Sequence, residues 1–188
     1  MPLNLPNLVT LLRILLIPLI VGVFYLPDAW LGEQGKNIAA TSIFVFAAIT
    51  DWLDGYLARK LNQMSAFGAF FDPVADKLVV VGALIVLLQF DRVESVVALI
   101  IIGREIAISA LREWMAQIGQ VKSVAVAFIG KLKTVGQMVA IPLLLYHDNL
   151  FGVLDCQWLG TVLINLAAVL TVVSMLYYLR KALPLMRG

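Results

Sequence analysis

Asp51-Trp52-Leu53-Asp54-Gly55-Tyr56-Leu57-Ala58-Arg59, followed after eight intervening residues by Gly68, then Asp72 and Asp76, is the stretch that decides the reading of this chain. It lies between two strongly apolar runs, 38–50 and 78–90. A lone carboxylate buried in such surroundings costs several kcal/mol after relaxation, and roughly 20 kcal/mol by the idealised Born estimate. Four of them within 26 residues add mutual repulsion. The region is therefore either wet or neutralised by cations. If 38–61 is one helix, Asp51 and Asp54 stand three apart on one side of it, with Ala58 continuing that face. Asp72 and Asp76, four apart, share a face of the next helix. Two facing helices then gather four carboxylates around divalent ions. Oxygen donors with no His or Cys nearby favour a hard ion, Mg²⁺ or Mn²⁺, over zinc. Two ions balance the four charges, and a pair about 3.5–4 Å apart is a recurring clamp for phosphoryl displacement. Gly55, Ala58 and Gly68 leave room for a flat group to approach the backbone. Arg59 is placed to grip phosphate oxygens.

The rest of the chain supplies a membrane around this motif. Of its 188 residues, 62% are hydrophobic and 14% charged, a membranous balance. Six apolar segments are long enough for a hydrocarbon core of about 30 Å, which takes roughly 20 helical residues. They fall near 6–26, 37–60, 70–90, 94–116, 124–146 and 157–180. The first has no basic flank before it and no small-residue cleavage site after it, so it reads as a retained helix. The expectation is an all-α integral membrane protein, one domain over 1–188, with six transmembrane helices and both termini on one side. Arg59, Lys60, Lys122, Arg180, Lys181 and Arg187 mark that side as cytoplasmic, against Lys36 and Arg92 opposite. Asp28, Glu33, Asp91, Glu94, Asp148 and Asp155 fall in the opposite loops. The four motif aspartates with Glu105 and Glu113 remain to be explained. A net charge of +2 gives no argument for nucleic acid. The single Cys156 excludes an intrachain disulfide, and the lone His147 reads as a loop residue. Pro73 marks a first turn or a kink beside Asp72.

Other polar residues inside the spans have two readings each. Asn7, Thr10 and Arg13, spaced by three, are either a polar first turn with Arg13 snorkelling or an edge facing the metal site. Glu105 and Arg112, seven apart, can form an ion pair. Arg104 and Arg112 lean to function, because an intramembrane arginine is expensive. Gly130-Lys131-Leu132-Lys133-Thr134 resembles a fragment of a P-loop, but the earlier glycine and preceding strand are missing. Lys131 and Lys133 are then either cytoplasmic anchors or part of a basic pocket.

The pattern D-x2-D-G-x2-A-R-x8-G-x3-D-x3-D, matched at every fixed position, resembles the signature of the CDP-alcohol phosphotransferases. The opening Pro6–Arg13 resembles that family's N-terminal helix, and the likeness extends over the whole chain. It implies that CDP sits along Gly55, Ala58 and Gly68, with Arg59 near its phosphates, and that Thr10 lies on the substrate side. Asp51, Asp54, Asp72 and Asp76 hold two Mg²⁺ or Mn²⁺ ions. Asp72 and Asp76 serve catalysis, Asp76 as general base. Residues 104–116 and 130–138 resemble the branch that carries the phosphatidyl group of CDP-diacylglycerol to the 1-hydroxyl of sn-glycerol 3-phosphate. Arg104, Arg112, Lys131 and Lys133 are then candidates for the acceptor's phosphate. The resemblance also implies a homodimer in a bacterial inner membrane, with lipid tails in the bilayer and the active site facing the cytoplasm. Phosphatidylglycerol, inositol phosphate or serine as acceptor is the alternative on the same fold. A cation transporter is the remote one, because it has no need of Gly55, Ala58, Arg59 and Gly68.

Overall fold

The computed structural model describes residues 5–61, 66–118, 128–150 and 152–186, and their side chains other than those of 5–7, 52–61, 66, 67, 69, 128–131, 181, 182 and 184–186. Six helices account for nearly all of them: α1 Leu5–Val23, α2 Glu33–Leu61, α3 Ala66–Gln89, α4 Ser95–Gln117, α5 Phe128–Tyr146 and α6 Cys156–Met186. Each apolar segment of the sequence has become one helix. The bounds shift in several helices: α2 and α3 each start four residues early, α5 starts four late and α6 runs six further, with Glu33 in the first turn of α2. A carboxylate there complements the positive end of the helix dipole. Asp155 opens α6, its Oδ1 accepting the Trp158 N–H at 2.9 Å, and so satisfies one orphan donor of the first turn. Between α5 and α6 the chain reverses through a two-residue antiparallel ladder, Asn149–Leu150 (β1) against Leu154–Asp155 (β2), which apolar periodicity did not foretell. Gly152 takes φ +70 there, the left-handed region that glycine enters without a Cβ clash.

Pro73 sits inside α3 rather than at its start. Next to Asp72 and having no N–H, it leaves the carbonyl of residue 69 without its usual helical donor. Hydroxyls within the spans are satisfied locally: Thr50 donates to Ala47 O, Thr171 to Ala167 O and Ser174 to Thr171 O.

Helix α1 packs on α2 and α3, α5 packs on α6 and α2, and α4 lies chiefly on α6. The main dry core joins Ile20, Phe44, Leu84, Leu87, Ile101, Ile141, Leu144 and Leu145 from five helices. At one end of it Arg92, buried in the α3–α4 connection, donates to Leu145 O (2.9 Å), Leu144 O (3.3 Å) and Asn37 Oδ1 (2.9 Å). Its guanidinium also lies 5.9 Å from the Phe24 ring centre and 5.6 Å from that of Phe90. One side chain thus fastens the ends of α1, α2, α3 and α5.

Large apolar residues stand exposed on every helix, among them Leu15, Ile49, Phe70, Leu99, Val135 and Val169. A water-soluble monomer rarely exposes apolar patches on that scale. Cys156–Arg180 of α6 is by itself long and apolar enough to cross a bilayer. The chain is an all-helical membrane protein.

Candidate active site

Three of the motif aspartates, Asp51, Asp72 and Asp76, meet α1. Thr10 and Arg13, one turn apart on α1, are 0% and 1% exposed. Arg13 Nη1 donates to Asp51 Oδ1 of α2 at 2.7 Å and also to Asp76 Oδ1 of α3. Thr10 Oγ1 donates to Asp72 Oδ1 at 2.5 Å. The edge of α1 carrying these residues faces the carboxylates, the second of the two readings of that helix. Close approach of α1 to α3 depends on Gly82, where a Cβ would stand 2.8 Å from Ile17 Cγ2.

Asp51 and Asp76 keep 46% and 39% of their side chains accessible. They open on a cavity of about 330 Å³ lined by Arg13, Phe44, Ala47, Asp51, Asp76, Thr134 and Met138 among others. A hollow of about 260 Å³ shares Phe44, Ala48 and Met138 with it and reaches the lipid-facing side at Val45 and Ile49. Two larger hollows, about 610 and 670 Å³, lie along α4 and α6, the first reaching the end of α3, and are lined by none of the motif residues.

Among the described residues no three metal-ligating side chains form a cage, and Asp54 lies outside the described side chains. What is present fits a hard cation: oxygen donors alone, from two helices, turned towards one positive group supplied by Arg13. A carboxylate pair that attracts a guanidinium is chemically suited to Mg²⁺ or Mn²⁺.

A second polar cluster lies across α5. Glu105 Oε1 accepts from Arg104 Nη1 at 3.0 Å and from Lys133 Nζ. Arg104 Nη2 reaches Ser174 Oγ of α6 at 3.5 Å. Lys133 is 1% exposed, Arg104 7% and Gln137 4%. Two buried donors here, Arg104 Nε and Gln137 Nε2, have no acceptor. Buried donors without partners are rare, and each costs about 1–3 kcal/mol. Two cations and two unpaired donors thus share a single carboxylate partner. Helix α5 divides the two centres, with Thr134 and Met138 lining the aspartate cavity and Lys133 in the basic cluster.

Of the residues singled out in the sequence, Thr10, Asp51, Asp72 and Asp76 come together, and so do Arg104 and Lys133. Arg112 stands beside them without joining, its guanidinium 5.9 Å from the Tyr178 ring centre. Glu105 pairs with Arg104 and Lys133 rather than with Arg112. Gly68 is buried near the start of α3, whereas the side chains of Ala58, Arg59 and Lys131, and the packing at Gly55, lie outside the described ones. Gln137 and Ser174 were not singled out; being polar, buried and at helical spacing from Lys133 and Thr171, they carried the signal.

Comparison with known proteins agrees with this architecture. Residues 3–173 match the family described as CDP-alcohol phosphatidyltransferase. A relative from Shigella flexneri serotype 5b (strain 8401) is 49% identical over 184 residues, 97% of this chain and 96% of its own. Relatives from Salmonella choleraesuis (strain SC-B67) and Escherichia coli (strain K12) show the same identity and coverage. All three are named CDP-diacylglycerol--glycerol-3-phosphate 3-phosphatidyltransferase. With residues 3–173 matching the family and relatives 49% identical over nearly the full length, this chain belongs to the CDP-alcohol phosphatidyltransferase family.

Proposed function

We propose that this chain transfers the phosphatidyl group of CDP-diacylglycerol to the 1-hydroxyl of sn-glycerol 3-phosphate, giving phosphatidylglycerophosphate and CMP. The observation that carries the reading is the pair of centres flanking α5, a carboxylate cluster on one side and a buried cationic cluster on the other. A phosphorylated acceptor needs both: cations for its phosphate and a base for its hydroxyl. Near full-length identity of 49% to relatives named for this reaction supports the same acceptor.

The acceptor O1 attacks the phosphorus bearing diacylglycerol, a new P–O bond forms and the bond to CMP breaks. Asp76 takes the hydroxyl proton as general base, and Asp72, one turn earlier on α3 and fixed by Thr10, holds cation rather than touching the reacting phosphate. Arg13 holds Asp51 and Asp76 towards one another. Two divalent cations, Mg²⁺ or Mn²⁺, held by Asp51, Asp54, Asp72 and Asp76, supply charge stabilisation to the pyrophosphate when bound. Gly55, Ala58 and Gly68 make the wall for the nucleotide, with Arg59 at its phosphates. Arg104 and Lys133, with Arg112 and Lys131 at the margin, take the acceptor's phosphate. The acyl chains leave through the apolar hollow at Phe44, Ala48 and Met138, between α2 and α5.

Residues 1–188 act as one domain with six spans, both termini and the reaction centre facing the cytoplasm of a bacterial inner membrane, and two copies associate. Reporter fusions at the C-terminus and in the α1–α2 loop test the orientation. Chemical crosslinking in membranes tests the dimer.

The deciding experiment supplies purified protein with CDP-diacylglycerol, Mg²⁺ or Mn²⁺ and one acceptor at a time. CMP release is expected with glycerol 3-phosphate. Release only with phosphatidylglycerol, inositol phosphate or serine overturns the acceptor. Lys133→Ala raises KM for glycerol 3-phosphate by about 100-fold, in line with about 3 kcal/mol for a charged partner lost, and leaves KM for the CDP-lipid unchanged.

A further inference from the structure

The basic cluster across α5 holds an anion of its own. A single oxygen, Glu105 Oε1, receives both Arg104 Nη1 and Lys133 Nζ. The two cations are nearly enclosed, with side chains 8% and 1% exposed, whereas Glu105 keeps 22%. Two enclosed like charges repel in a low-dielectric setting, and one carboxylate between them removes that repulsion. It does not satisfy the cluster: Arg104 Nε and Gln137 Nε2 remain without acceptors. One carboxylate oxygen therefore serves two cations while two further donors stand by. Glu105 brings one negative charge and directs a single oxygen at the cations, which leaves those two donors unmet.

We propose that Glu105 is a positioning residue, a resident anion that keeps Arg104 and Lys133 converged and yields them when the acceptor's phosphate arrives. The inference rests on the acceptor reading given above. A phosphate dianion brings three oxygens and two charges to donors that Glu105 meets with one oxygen and one charge. Glu105, the most accessible of the three, turns towards water as its partners are taken. A neutral acceptor brings no anion, and serine brings one carboxylate offset by its own ammonium, so neither matches a phosphate dianion in displacing Glu105 from two cations. The exchange thus selects phosphorylated acceptors as well as holding the seat in shape.

A carboxylate that competes with phosphate and one that merely supports the fold give opposite signs on removal. In purified full-length protein with mixed micelles of CDP-diacylglycerol, inorganic phosphate serves as the probe, measured as an inhibitor against each substrate. In Glu105→Gln the competing charge is gone, so the phosphate Ki and the glycerol 3-phosphate KM both fall about tenfold, while KM for CDP-diacylglycerol is unmoved. Glu105→Asp keeps the charge and withdraws it by one methylene, so the phosphate Ki falls about threefold. That variant carries the test if the glutamine form fails to fold. A Ki that rises or stays level in these variants overturns the role of Glu105. The wild-type control separates this from the underlying reading: phosphate must compete with glycerol 3-phosphate and not with CDP-diacylglycerol. If it does not, the acceptor seat itself lies elsewhere.

Discussion

Asp72 and Asp76 stand one turn apart on α3 yet meet different partners, a hydroxyl from Thr10 and a guanidinium from Arg13. Asp76→Asn keeps the shape and removes the base, so turnover falls by about 10³-fold or more while CDP-lipid binding persists. CMP release alongside equilibrium binding of the lipid checks this, and retained turnover removes Asp76 from the role. Thr10→Val deletes the donor to Asp72 at nearly constant volume. It lowers kcat by about tenfold, the equivalent of one hydrogen bond of about 1.4 kcal/mol, with helix content by circular dichroism unchanged. At this scale the sequence was readable where charge defied its surroundings: the four aspartates and the two intramembrane arginines stood out. The partners of Arg13 were not readable. Spacing by three puts Thr10 and Arg13 on one face, but the rotation of α1 about its axis is set by packing.

Among the elements, α1 against α3 controls whether Thr10 can reach Asp72. Gly82→Val puts a stiff β-branched side chain where Ile17 Cγ2 already stands 2.8 Å from an added Cβ. The helices separate, stability drops by about 1–3 kcal/mol, and activity falls with it. Thermal inactivation in detergent, set against Gly22→Val, whose position has no neighbour within 4 Å, measures the effect. The helices were legible because each spanning run must satisfy its own backbone, which leaves an unbroken apolar segment of fixed length. The short β1–β2 ladder was not, since two-residue strands have no periodicity to detect. Nor was the double role of α5: Lys133 and Thr134 are neighbours in sequence, and only the placement of α2, α4 and α6 assigns them to different centres.

At the scale of the molecule the two ends differ in what joins them. Arg92 fastens four helices through carbonyls, an amide and two rings, so Arg92→Lys, lacking the planar fork, lowers stability by about 3 kcal/mol with KM values unchanged. Denaturation followed by tryptophan fluorescence tests it. His147 lies at the same end, outside the spans, and burial with Arg92 nearby lowers its pKa below 6.5. The unfolded chain then binds the extra proton more readily. Stability is full above the unfolded value and declines as pH falls towards the lower folded one. Thermal midpoints taken from about pH 7.5 to about pH 5.5 should drop, and the drop should shrink in His147→Gln. At the other end Arg13 bridges Asp51 and Asp76, and Lys133 pairs with Glu105, contacts that incoming cations and anions can replace, beside an apolar cluster of Ile108, Leu111, Met115 and Tyr178. Riveted at one edge by carbonyls and rings and latched at the other by ion pairs, the six rods keep their exchangeable contacts at the end where the motif aspartates lie.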